Sequence, residues 1–309
     1  MKVLILGGCG FIGKHLVQEL SEDHTPLVVF DIHAHPDLSS QACIFIQGQF
    51  SELEKLEALI DQHGITHVIH SVSTTLPKSS NEDKPYDLSS NVIQTLHLLD
   101  LCVKYRVKKI LFMSSGGTVY GAPSYVPVDE SHPQNPICSY GITKLAIEKY
   151  LFLYHHLYGL SYVALRAANP YGPGQNPMSG QGIIPTFVRK MYADQPLEVW
   201  GDGSTIRDYF HVRDLASLVK LALFSPDIGV FNAGSGVGVS INQLIRVLES
   251  TINRPACVIY QEQRNMDVPA IVLDCIAAEN KFGWKATTSL QTGIENYIEW
   301  YNSMNFPAK

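Results

Sequence analysis

Seven residues near the start of the chain, Gly7-Gly8-Cys9-Gly10-Phe11-Ile12-Gly13, restrict its fold more than any other stretch. They follow the apolar run 3–6 directly and open a segment, 11–20, whose apolar residues recur at helical spacing. Glycines at 7, 10 and 13 permit a tight turn, a close approach of backbone to a bound pyrophosphate, and close packing of helix on strand. The helix N-terminus, with Phe11 and Ile12 in its first turn, then offers N–H groups and a positive dipole end to that anion. Asp31 closes the next apolar run, 18 residues after Gly13, where a carboxylate would accept from the adenosine ribose hydroxyls. Ile32 and His33 follow it, with no Arg or Lys to receive a 2′-phosphate, so the pattern predicts NAD rather than NADP.

The same rhythm continues downstream. Strand-like runs at 27–30, 43–46, 67–70 and 109–113 alternate with helical patterns at 53–60 and 92–103. Short apolar strands separated by amphipathic helices mean parallel βαβ units covered on both faces, a doubly wound α/β (Rossmann) sheet. From about Arg166 the pattern breaks into the turn-rich Asn169-Pro170-Tyr171-Gly172-Pro173-Gly174, with Pro177, Gly180 and Gly182 beyond. The rest mixes strands (197–200, 256–260) with helices (215–224, 241–251, 290–301) and reads as a smaller mixed α/β lobe. The expected division is a NAD-binding domain over 1–165 and a substrate lobe over 166–309, with about 208–234 returning to the first domain and 229–232 rejoining its sheet.

Composition narrows the function. With 23 Lys+Arg against 29 Asp+Glu the net charge is −6, which argues against a nucleic-acid or anionic-membrane binder. No apolar run reaches the roughly 18 residues of a membrane span. The opening Met-Lys-Val-Leu-Ile-Leu stops at Gly7-Gly8, too short for the apolar core of a signal peptide. The six cysteines form no C-x-x-C pair, so neither a disulfide nor a zinc framework is expected, and a reducing cytoplasm fits. His63, His67 and His70 cluster, but no carboxylate joins them at ligand spacing, and no metal is expected.

The second chemical signal is Tyr140-Gly-Ile-Thr-Lys144. At i and i+4 on a helix the two side chains share a face. An ammonium beside a phenol favours phenolate and is expected to lower the tyrosine pKa toward neutrality, as acid–base work at pH 7 requires. Ser114-Ser115 ends the fifth strand nearby in this order of elements.

With these motifs in place the chain resembles the extended short-chain dehydrogenases/reductases, in particular nucleotide-sugar 4-epimerases of the UDP-galactose type. Further matches are Asn91-Val92 with Thr95, Ser114-Ser115-Gly116-Gly117-Thr118-Val119-Tyr120-Gly121, Arg166 with Asn169, Gly201-Asp202-Gly203, Arg207-Asp208-Tyr209, Val212, Asp214 and Phe282-Gly283-Trp284. The resemblance implies that Tyr140 exchanges a proton with the sugar O4 and that Lys144 holds the nicotinamide ribose. It places Asn91 and Gln49 at the cofactor, and Asn169, Arg207 and Arg264 at the sugar diphosphate, where a planar guanidinium suits phosphate oxygens. It also implies a homodimer, formed through helices near 91–105 and after Tyr140, with Leu96, Leu98, Leu99 and Leu101 as candidate contacts.

Two departures stand out. Many relatives carry a catalytic hydroxyl where this chain has Gly116, so the duty is expected to pass to Ser115 or Thr118. The Gly-Asp expected near the adenine is Gly48-Gln49, whose amide can still bond the adenine edge. Sugar 4,6-dehydratases of this family place Asp-Glu at the Gly116-Gly117 step, which makes dehydration an unfavoured reading. The leading expectation is a UDP-hexose 4-epimerase, an isomerase that recycles NAD. The alternatives are an NAD(P)H-dependent reductase of a nucleotide-linked 4-keto-6-deoxysugar and, from another class, a non-catalytic dinucleotide sensor.

Overall fold

A computed structural model describes residues 1–34, 43–262, 268–304 and 306. The main sheet has seven parallel strands. These are β1 (Val3–Leu6), β2 (Leu27–Asp31), β3 (Cys43–Gln47), β4 (His67–His70), β5 (Lys109–Ser115), β6 (Ser161–Ala167) and, after β7 (Asn169–Tyr171), β8 (Leu197–Trp200) and β9 (Ile206–His211) have been laid elsewhere, β10 (Gly229–Ala233). Their order is β10-β6-β5-β4-β1-β2-β3. All four residues of β1 are buried, as expected of a strand covered on both faces.

Five helices precede β6: α1 (Phe11–Glu22), α2 (Leu53–His63), the short α3 (Lys84–Asp87), α4 (Gln94–Lys104) and α5 (Ser139–Tyr158). Two more follow, α6 (Ile183–Tyr192) and α7 (Val212–Phe224). Leu16, Val17 and Leu20 of α1 join Leu215, Leu218 and Val219 of α7 in the core on one face of the sheet. Leu56 and Leu59 of α2, Leu98 and Leu99 of α4, and Ile147 and Leu151 of α5 fill the other. Chain order reverses where β1 lies between β2 and β4, and ligands of open α/β sheets bind beyond the strand ends at such a point.

The smaller lobe is built on β9, which pairs with β7, with β11 (Gly238–Ser240) and with β13 (Ala270–Ile271), while β8 pairs with β12 (Val258–Gln261). Helices α6, α8 (Ile241–Ile252) and α10 (Leu290–Ser303) enclose a separate core containing Phe187, Leu244 and Tyr297. The last remaining helix, α9 (Ile276–Phe282), ends at Gly283, and Trp284 beside it donates its indole N–H to Asp214 O at 3.0 Å on α7. Two family motifs far apart in sequence therefore meet at one structural joint.

Three details differ from the sequence reading. The helix expected over 92–103 is entered through a π-helical turn, Leu88–Ile93, before α4 begins. The strand expected over 256–260 lies at Val258–Gln261. The turn-rich run after Arg166 contains a three-residue strand, β7, which tolerates Pro170 because it pairs on one side only, with β9. The strand expected over 229–232 does return to the main sheet, as β10 beside β6.

Candidate active site

A cleft of about 1220 Å³ opens at the strand-order reversal, lined by Gly7, Gly10, Asp31, Gln49, Ser71 and Ser73 among others. Its shape depends on missing side chains. Gly7 has φ +80°, and a Cβ on Gly13 would stand 2.1 Å from Gly7 O, so strand end and helix start can approach only as glycines. Helix α1 begins at Gly10 without a side-chain cap, leaving its first amides to a ligand anion. Asp31 accepts from the Cys9 amide at 2.9 Å through Oδ2 and from the His33 amide at 3.2 Å through Oδ1, which fixes the carboxylate at the cleft wall with lone pairs to spare. The donor set fits a dinucleotide: an open helix N-terminus for pyrophosphate and a fixed carboxylate for ribose.

Tyr140 and Lys144 stand one turn apart at the start of α5. The lysine is buried, donates to Met113 O at 2.9 Å, and lies 5.4 Å from the centre of the Tyr140 ring. The direction of the tyrosine shift is opposite to the sequence expectation. Burial pushes the Tyr140 phenol up to about 12, with the Ser73 hydroxyl pulling the other way. Burial also pulls Lys144 down to about 8, while Asp87 and Glu148 hold it up. The lysine is turned to a carbonyl, and removal from water outweighs its attraction for a phenolate. Asn91, carried on the π-helical turn, accepts from the Thr74 amide at 3.1 Å and donates to Thr74 Oγ1 at 2.8 Å and to Asp87 Oδ1 at 3.0 Å. Such π turns recur at functional sites because they turn one side chain out of helical register.

The two serines at the end of β5 part company. Ser114 is buried and donates to Glu148, which also pairs with Arg166 at 2.7 Å; Arg166 in turn donates to Tyr120 Oη at 2.9 Å. These motif residues form a buried structural network. Ser115 is half-exposed and its hydroxyl has no hydrogen bond among the described residues. Thr118 Oγ1 is buried and without a partner, so a ligand hydroxyl would complete it. At Gly116 a Cβ would lie 2.5 Å from Leu273 Cδ1 and 2.8 Å from Arg166 O. The glycine is thus imposed by a leucine side chain and a backbone carbonyl that together fill the space a side chain would need.

A second cavity, of about 270 Å³, lies in the smaller lobe between Asn169, Tyr171, Gln175, Trp200, Arg207 and Tyr209. Asn169 donates to Asp208 O at 3.0 Å, and Arg207 donates through Nη1 to Val268 O at 2.7 Å and to Ile206 O at 2.8 Å. Arg264 lies outside the described residues. The cofactor helix reaches this lobe through His15, whose Nε2 is 2.8 Å from Pro173 O in the loop after β7. Sequence reasoning brought together Asn169 and Arg207, and Tyr140 and Lys144. It missed Ser73, Thr75, Asp87 and Ser139; the one available signal was Asp87 at four residues before Asn91 on a helical segment.

Fold and cleft define a dinucleotide-dependent enzyme. The family model for the NAD dependent epimerase/dehydratase family matches residues 3–234, and the chain belongs to that family. It is 36% identical over 306 residues to a dTDP-4-dehydro-6-deoxyglucose reductase from Escherichia coli, covering 96% of each chain. It is 30% identical over 311 residues to a UDP-glucose 4-epimerase from Mycolicibacterium smegmatis, covering 98% of this chain and 99% of that one. Among solved structures it is similar to the UDP-glucose 4-epimerase of Thermotoga maritima with UDP-glucose, at a TM-score of 0.92 and 33% identity, over 98% of this chain and 99% of the other.

Proposed function

We propose that the protein inverts C4 of a UDP-hexose by transient oxidation to the 4-keto sugar. The observation that carries this reading is the pairing of Tyr140 and Lys144 at the start of α5, the lysine 5.4 Å from the tyrosine ring centre, with Gly141 between them packed on the Thr118 backbone. NAD, where held in the cleft, would supply reversible hydride transfer at C4. Tyr140 would accept the O4 proton and give it back, Thr118 or Ser115 would hold O4 by a hydrogen bond, and the Lys144 ammonium would supply positive charge beneath the ring. Asn169, Arg207 and Arg264 would grip the nucleotide diphosphate while the sugar turns. Gly7, Gly10, Phe11, Ile12, Gly13, Asp31, Gln49 and Asn91 would hold the cofactor. Gly116-Gly117 offers no carboxyl for loss of water, which supports epimerisation over dehydration.

The similarity to the reductase from Escherichia coli favours one alternative, NAD(P)H-dependent reduction of a nucleotide-linked 4-keto-6-deoxysugar. The two differ in cofactor handling: an epimerase keeps NADH between half-reactions, a reductase releases NAD+. NMR of the purified protein with UDP-glucose, UDP-galactose and their N-acetyl forms, with no added cofactor, tests this. Inversion at C4 is expected; no inversion, with NADH consumed on a dTDP-linked 4-keto sugar, would replace epimerase by reductase.

The lobe boundary near 166 belongs to the same reading, with α7 and β10 serving the cofactor half. So does a cytoplasmic homodimer, supported by the lack of any disulfide among the described residues and by exposed Phe152 (60%), Leu157 (56%) and Tyr158 (57%) on α5. Leu98 and Leu99 do not serve it, because they are buried in the protomer's own core.

A further inference from the structure

The reaction above needs Tyr140 and Lys144 held still, yet α5 starts without a cap of its own, since Cys138 before it offers no side-chain bond. First-turn amides of a helix have no partner within the helix. Here a segment distant in sequence takes them: the Ser139 amide donates to Asn81 Oδ1 at 2.9 Å and the Tyr140 amide to Ser80 Oγ at 3.0 Å. A few residues further along that segment lies Asp87, 0% exposed. Its Oδ1 accepts from Thr75 Oγ1 at 2.5 Å and from Asn91 Nδ2 at 3.0 Å, and its Oδ2 accepts from Ser139 Oγ at 2.6 Å.

Asp87 forms no ion pair among the described residues. A carboxylate buried on hydroxyl and amide donors alone carries a desolvation cost that an exposed one does not. Its place at the positive N-terminal end of α5 offsets part of that cost. Three of its contacts reach the surroundings of the site: Ser139 precedes Tyr140, Asn91 bonds Thr74 of the cleft wall, and Thr75 follows the Ser73–Thr74 wall of that cleft.

We propose that Asp87 is a positioning residue of the reaction, a single buried negative charge that sets the Tyr140 turn, Asn91 and the Lys144 ammonium in one arrangement. This rests on the reading of Tyr140 and Lys144 as the acid–base pair. Burial raises Tyr140 and lowers Lys144, and beside it the Asp87 charge favours the protonated form of both. The other groups facing that pair are Cys138 and Glu148 on α5, Ser73 on the cleft wall, and His70 at the end of β4, whose imidazole is held neutral by burial, its pKa near 3. Of these, Glu148 is neutralised by Arg166, which leaves Asp87 as the unpaired charge.

The test compares Asp87→Asn and Ser139→Ala with the unmodified holoenzyme, and with Tyr140→Phe as control. Asp87→Asn removes the charge and keeps the shape. With NAD still bound, its kcat is expected to fall about 10- to 100-fold with KM changed less than about threefold, the range of a weakened acid–base group. Both limbs of its kcat–pH profile are expected to move to lower pH by about one unit, because Tyr140 and Lys144 each lose their proton more readily. A residue that only supports the fold would scale the profile without moving it. Ser139→Ala keeps the charge and cuts the clamp, so kcat is expected to fall about fivefold with both limbs in place. A folded, NAD-loaded Asp87→Asn with wild-type limbs overturns the proposal. If Asp87→Asn does not fold, wild-type kcat in Ser139→Ala overturns it instead. Near-normal turnover in Tyr140→Phe would remove the acid–base reading itself, and this proposal with it.

Discussion

Two sets of helices in the molecule meet the need of their first amides differently. Helices α7, α8 and α10 cap themselves: His211, Ser240 and Ser289 accept from amides in their own first turns, and Gln243 returns the bond to the Ser240 amide. Helices α4 and α9 have no such bond, and neither do α1, α2, α5 and α6. Three of the latter four begin at a cavity wall, at Gly10, Glu52 and Gly182, and the fourth carries Tyr140. A free helix N-terminus is costly without a partner, and at α5 the distant residues Ser80 and Asn81 supply one. Two capped helices also border the cavities, α8 through Ile241 and α3 through Tyr86, so a cap and a cavity wall are compatible.

The sharpest way to break this contrast is at Tyr140. Tyr140→Phe is expected to lower turnover by at least about 10²-fold while thermal melting and NAD content stay near wild type; steady-state kinetics beside a melting curve checks both halves. Asp208, on the scaffold side, should do the reverse. It accepts from Ser235 N and Oγ, Gly236 N and Leu273 N, so Asp208→Ala leaves buried amides without partners and is expected to cost about 3 kcal/mol, read from urea midpoints. Gly10→Ser adds a cap to an open end. The backbone accepts it, since φ is −70° and a Cβ meets nothing nearer than Gly7 O at 3.4 Å. Stability should hold or rise, while NAD is expected to dissociate about tenfold more readily, as followed by cofactor retained through gel filtration. The smallest effect is Ser240→Ala, expected to cost about 1 kcal/mol of stability with unchanged kinetics.

The cofactor half was legible because its information is local. Glycine spacing, apolar runs and an acid at a strand end each lie within some thirty residues, and β1 through β5 with their helices follow from them. The smaller lobe hid more. β7 has three residues and a proline, β13 has two residues, and each exists only through pairing with β9, from a different part of the chain. Helix α6 carries Ile184, Phe187, Val188 and Met191 at helical spacing, yet the turn residues just before it mask its start. Within the site, the pair Tyr140/Lys144 was readable as i, i+4 neighbours. The direction of the tyrosine shift was not, because burial is a property of packing that spacing alone does not contain.

The contact between position 116 and Leu273 makes two sites, 157 residues apart in the chain, a single evolutionary choice. Any side chain at 116 collides with that leucine, and shrinking the leucine first leaves a hole in the small cluster formed with Val119, Tyr120, Val128 and Ile271. Each step taken alone is a loss, and the two together still leave the Arg166 carbonyl 2.8 Å from the new Cβ, so the backbone there must shift as well. The pair is therefore epistatic, and a lineage that carries the leucine is committed to finding its hydroxyl elsewhere.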